Sequence, residues 1–128
     1  LAERILIDSA GTHAYHVGEP PDPRAQAAAL RREVDLSDQR ARQVDPRDFE
    51  RFDYILAMDR DNLAMLQAVS GREHHQKIRL FLEFAPGAGR RDVPDPYYGG
   101  DGGFEKVLNL VEAAAGGLVQ DIRDRHGL

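Results

Sequence analysis

An aspartate held between two prolines is the pattern in this chain best suited to chemistry: Val93-Pro94-Asp95-Pro96-Tyr97-Tyr98-Gly99-Gly100. Pro94 fixes its own φ and has no N–H to donate. Pro96 moves Asp95 out of the helical region toward an extended backbone. The carboxyl is therefore expected on a stiff, non-helical loop, where it could give or take a proton. Gly99 and Gly100 let the chain turn away directly after the two rings. Pro, Asp and Gly are also ordinary turn residues, so composition alone reads first as a surface turn. Tyr97 and Tyr98 pull toward a site, because two adjacent rings on a merely solvated turn would expose apolar area for nothing.

Asp95 needs a frame, and the chain supplies strands alternating with helices. Continuous apolar runs predict strands at 4–8, 54–58 and 78–82, as expected of strands buried on both faces of a parallel sheet. Asp22 followed by Pro23 predicts a helix start, with the helix running to about Glu33 and burying Ala27 and Leu30. Asp45-Pro46 repeats that signal for a short helix through Phe49. Asp59 caps a third helix, with Leu63, Leu66 and Val69 at helical spacing and Gly71 as the stop. Phe104, Val107, Leu108, Val111, Ala115, Leu118 and Ile122 form the apolar stripe of a last helix. Gly116 and Gly117 interrupt it, each costing about 1 kcal/mol against alanine. This alternation predicts an α/β fold, a small parallel sheet flanked by helices on both faces.

Ligands in such folds bind beyond the carboxyl ends of the strands. Ser9 follows the first predicted strand, Asp59 the second, and Asp95 lies on the loop after the third. Their convergence there is the functional signal, although Ser9 alone could satisfy a turn and Asp59 alone could be a helix cap.

Composition narrows the chemistry. The 128 residues read as a single domain, 1–128, with no repeat or linker. There is no cysteine, which excludes disulfides, thiolate metal sites and a cysteine nucleophile within these residues. A net charge of −5 argues against a nucleic-acid partner, and no apolar run approaches a membrane span. The histidines at 13, 16, 74, 75 and 126 show no metal-ligand spacing with carboxylates and are read as solvated, so no metal or cofactor is expected.

Several segments match one family in its order. They are Asp8-Ser9-Ala10-Gly11-Thr12, Val17-Gly18 with Pro21-Asp22-Pro23-Arg24-Ala25, and Ala41-Arg42-Gln43-Val44. After these come Phe52-Asp53-Tyr54-Ile55-Leu56 with Met58-Asp59, Asn62-Leu63, and Asp95-Pro96-Tyr97-Tyr98-Gly99. Together they cover nearly the whole chain, which resembles the low-molecular-weight protein tyrosine phosphatases. The resemblance implies hydrolysis of aryl phosphate monoesters through a phosphocysteine, without a metal. It implies Asp95 as the acid that protonates the leaving phenolate and then the base that activates water. Tyr15, Tyr97 and Tyr98 become substrate-binding rings, with Tyr15 standing where the family often has tryptophan. Ser9, Asp59 and Asn62 become groups that orient the phosphate-binding loop.

The family's Cys-x5-Arg loop is absent from these residues. Since Leu1 is not an initiator methionine, a strand, that loop and a helix are expected ahead of it, one βαβ step of roughly 30 residues. The family's central strand would lie between 5–8 and 54–57, leaving those two roughly twice the usual ~4.8 Å strand spacing apart. The expected function is thus a cytoplasmic tyrosine phosphatase, monomeric or weakly dimeric, acting on phosphotyrosine proteins or small aryl phosphates, with its nucleophile outside these residues. A pseudophosphatase that binds phosphotyrosine without turnover is the alternative. An arsenate reductase on the same scaffold comes third, because that chemistry needs further cysteines.

Overall fold

A computed structural model describes residues 5–89, 91–95 and 103–127. Within them, strand β1 (Ile55–Ala57) pairs in parallel with β2 (Ile78–Leu80), in the register Ile55↔Ile78, Leu56↔Arg79, Ala57↔Leu80. Parallel strands need a crossover. Helix α3 (Arg60–Val69) and a 3-10 helix (Arg72–Lys77) make it. Strand alternation then divides the core. On one face Phe49, Ala57, Leu66, Ile78 and Leu80 cluster with Ile55 and Leu63. On the other, Phe81, Leu82, Ala85 and Ala114 cluster with Leu56, Val93 and Leu110. This is the expected α/β arrangement, with α3 covering one face of the sheet and α4 (Gly103–His126) the other.

Helix α1 (Pro23–Leu30) starts as predicted: the Asp22 side chain accepts from the Arg24 N–H at 2.7 Å, and Pro23 opens the helix. It stops short of Glu33, which adopts a left-handed backbone with φ 66°. There the Glu33 N–H donates to Leu30 O and the Val34 N–H to Ala29 O, closing the helix end. The buried pair is Ala28 and Ala29, and the expected Ala27 and Leu30 face solvent. Just beyond the helix end, Arg32 ties this segment to α4 through Glu105, Asn109 and Glu112.

Helix α2 (Asp48–Arg51) begins slightly later than Asp45-Pro46 suggests, because the Asp45 carboxylate accepts from the Arg47 N–H and forms a turn first. The strand predicted over 78–82 ends at Leu80. Residues Phe81–Phe84 form a 3-10 turn instead, which lets consecutive Phe81 and Leu82 both bury, where a strand would point them to opposite faces.

The strand predicted over 4–8 is not formed in its described residues, 5–8. Among the described residues β1 pairs with β2 alone, so direct pairing of 5–8 onto β1 does not close the sheet. A strand exists only where a neighbour satisfies its backbone, and without one Leu6 and Ile7 stand 61% and 82% exposed.

The two glycines do not break α4. At Gly117 a Cβ would lie 2.9 Å from the Phe84 carbonyl carbon and closer still to its oxygen, so glycine permits this helix to pass against the Phe81–Phe84 turn. Two histidines read as solvated are half-buried. His74 stacks on Phe49, centroids 6.3 Å apart, and the His75 Nε2 lies 2.8 Å from Gln67 O. No described helix is long and apolar enough to cross a membrane.

Candidate active site

Two loops converge on the N-terminus of α3, just past the carboxyl end of β1. The first carries the Asp95 segment. The Val93 N–H donates to Met58 O at 2.8 Å, and Val93 itself packs into the core with Leu56. Asp92 accepts from the Arg60 N–H at 2.9 Å and from the Arg60 guanidinium at 3.2 Å. Those Arg60 bonds, side chain first and backbone second, hold the Asp92 carboxyl below the usual carboxylate range. A carboxylate at a helix N-terminus is favoured by the unpaired N–H groups and the dipole there. Asp95 follows two residues after Val93 and is exposed. Tyr97 and Tyr98 lie outside the described residues.

The second loop runs from Ser9 to Glu19. Asp59 caps α3 by accepting from the Asn62 N–H at 2.7 Å, and Asn62 Nδ2 donates to Thr12 Oγ1 at 3.4 Å. Asp59 and Asn62 are therefore brought together, and Thr12 joins them. Ser9 is exposed; its N–H donates to Asp8 Oδ1 at 2.8 Å. Tyr15 is exposed on the same loop and stacks on His13.

Arg42 fastens the base of this loop. Its carbonyl accepts from the Gly11 N–H at 2.8 Å, and the Val44 N–H donates back to Gly11 O at 2.9 Å. Its guanidinium grips Asp48 at 2.9 Å and reaches Asp8 at 3.3 Å. Burial pushes the Asp48 carboxyl up, but bonds from Arg42 and from the Asp45 N–H outweigh it and leave the group below its ordinary value. The same Asp48 bond raises Arg42. Arg42, Asp48, Arg60, Asp92 and Thr12 were not singled out from sequence as site residues. Arg42 and Thr12 sit inside matched segments, whereas the Arg60–Asp92 pair spans two distant loops and leaves no local signal.

A cavity of about 250 Å³ opens beside Thr12, lined by Gln43, Val44, Phe49, Met65 and Leu66 among others. It is apolar and carries no titratable side chain. Among the described residues no cluster of three His, Asp or Glu side chains could hold a metal ion. The convergent carboxylates and the helix N-terminus suit proton transfer and anion binding, and no thiolate can arise from a chain without cysteine.

Residues 1–126 match the family described as low molecular weight phosphotyrosine protein phosphatase. A low molecular weight protein-tyrosine-phosphatase of Streptomyces coelicolor is 40% identical over 128 residues, covering 98% of this chain and 77% of that protein. The human low molecular weight phosphotyrosine protein phosphatase is 39% identical over 109 residues, covering 84% and 68%. The crystal structure of a protein tyrosine phosphatase from Entamoeba histolytica superposes with a TM-score of 0.89 at 38% identity, covering 98% of this chain and 78% of that one.

Proposed function

The chain belongs to the low molecular weight phosphotyrosine protein phosphatase family, and we propose that its residues supply the acid and the aryl-binding wall for cleavage of phosphotyrosine and small aryl phosphates in the cytoplasm. Asp95 is the proton donor. As the P–O bond breaks, its carboxylic acid protonates the departing phenolate oxygen. The resulting carboxylate then takes a proton from the water that attacks the phosphocysteine and releases phosphate. Tyr15, Tyr97 and Tyr98 flank the substrate ring. Asp59 and Asn62, with Ser9 at the start of the neighbouring loop, orient the phosphate-binding loop. The thiolate is not among these 128 residues.

One observation supports this reading above the rest: the segment leading to Asp95 is fastened to the β1–α3 junction through Val93 and Asp92. An acid so anchored keeps its position through the proton-transfer steps, and preorganisation of that kind is what general acid catalysis requires.

The absence of cysteine favours a second reading, a module that engages phosphotyrosine without turnover. Intact mass and N-terminal sequencing of the native protein separate the two, because a Cys-x5-Arg run outside the 128 residues makes it an enzyme. A sample whose mass equals the 128 residues is expected to leave p-nitrophenyl phosphate intact. Turnover by such a sample would overturn the cysteine-based mechanism.

A further inference from the structure

Tyr15 is 82% exposed, yet the loop beneath it is pinned at both ends. At one end are the Gly11 bonds to Arg42 O and from the Val44 N–H. At the other, the Gly18 N–H donates to Ala41 O at 2.7 Å and the Ala41 N–H to Glu19 O at 2.9 Å. Between the pins the His13 imidazole lies over the Tyr15 ring, with centroids 5.3 Å apart and planes 28° from parallel. Gln43 Nε2 also reaches Thr12 O at 3.4 Å, bracing the residue next to His13.

An exposed ring that must meet a flat ligand loses affinity if it has to be ordered on binding. Stacking is the contact that orders this one, and among the described residues no other ring stacks on Tyr15. The imidazole occupies one face of the phenol, so an aryl group can approach only the other. We propose that His13 is a positioning residue for substrate choice: by stacking on one face of Tyr15 it fixes the ring and so sets the preference for aryl over alkyl phosphate monoesters. This rests on Tyr15 being a wall of the aryl site. The effect should appear in the ratio of the two ligand classes, because a phosphate group common to both gains nothing from a fixed ring.

The test titrates the native protein, carrying its phosphate-binding loop, with phenylphosphonate and with butylphosphonate, following the ring C–H signals of His13 and Tyr15 by NMR. Phenylphosphonate should move both sets of signals and butylphosphonate should move them less. His13→Ala should lower the phenyl-to-butyl affinity ratio by about 2- to 10-fold, the worth of one aromatic pair, and His13→Phe should restore it. A ratio unchanged in His13→Ala overturns the inference, even where both affinities fall together, since that pattern marks a purely structural role. If neither phosphonate perturbs any signal, the aryl-phosphate reading itself fails and the role of His13 falls with it. Tyr15 shifts that persist, with an intact ratio, overturn the role of His13 alone.

Discussion

Two adjacent glycines in α4 should respond to alanine with opposite signs. At Gly116 a Cβ meets nothing within 4 Å. Gly116→Ala therefore gains helix propensity, up to about 1 kcal/mol, with no steric cost. At Gly117 the same methyl would drive into the Phe84 carbonyl and stand 3.3 Å from Phe84 Cβ. Backbone cannot rotate away as a side chain can, and Phe84 closes a turn whose Phe81 and Leu82 are buried against α4. Forcing an extra carbon into such a contact costs about 1–3 kcal/mol. Subtracting the propensity gain leaves Gly117→Ala destabilised by up to about 2 kcal/mol. For a domain of this size each kcal/mol shifts Tm by about 4 °C. Thermal melts by far-UV circular dichroism should thus place Gly116→Ala a few degrees above the parent and Gly117→Ala up to about 8 °C below it. The sign difference is the diagnostic, because composition, helix and position are otherwise matched. If both substitutions raise Tm, α4 does not pass against the Phe84 carbonyl, and the packing described for that face is wrong.

Glu33→Gly should stabilise by about 0.5–1 kcal/mol, since Glu33 sits at φ 66° where a Cβ is strained, and urea titration reads the gain directly. Asp48→Ala should cost about 2–3 kcal/mol, below the value for a fully buried pair because the Arg42 side chain is 34% exposed against 11% for Asp48. The folded-state value of Asp48 is depressed, so its contribution is complete above the unfolded carboxyl value near pH 4 and is lost as pH falls through the folded one; Asp48→Asn should flatten that acid limb of stability against pH. In a protein that carries the nucleophile, Asp95→Asn should slow turnover about 10²- to 10⁴-fold, and less for p-nitrophenyl phosphate than for phenyl phosphate. Equal losses for both leaving groups would remove Asp95 from the first proton transfer.

The fold was legible where a local rule decides the outcome. Asp22-Pro23 and Asp59 each start a helix because a side-chain oxygen meets an N–H two or three residues on, a contact contained in the sequence itself. Apolar periodicity found α3, α4 and both paired strands. It overreached where pairing or packing decides. Residues 5–8 are apolar enough for a strand, but described pairing leaves them without one. Phe81 and Leu82 continue an apolar run that packing against α4 turns into a 3-10 helix. The same rule misjudged Gly117, whose cost as a helix residue is a local quantity and whose use is a tertiary one.

The candidate site divides along that line too. Asp95 and Asp59 were singled out because prolines and a cap mark them in the sequence, and Tyr15 because the family resemblance implies it. What holds them in place was not, because Arg60 with Asp92, and Arg42 with Asp8, are ion pairs separated by 32 and 34 residues. Such pairs have no periodic or compositional signature. They decide the geometry all the same: Arg60 and Val93 set where the Asp95 segment leaves the core, and Arg42 sets where the Tyr15 loop does. Arg42 binds the buried Asp48 at 2.9 Å and the exposed Asp8 at 3.3 Å, so its first partner fixes the guanidinium and its second transmits that position to the loop. Removing Asp8 should therefore loosen residues 8–12 with little global cost, whereas removing Asp48 should unfasten both. Hydrogen exchange at the Gly11 and Val44 amides, compared with Ile78 in β2, reads the distinction. Equal acceleration at all three amides in Asp8→Ala would mean that the loop is not an independently anchored unit.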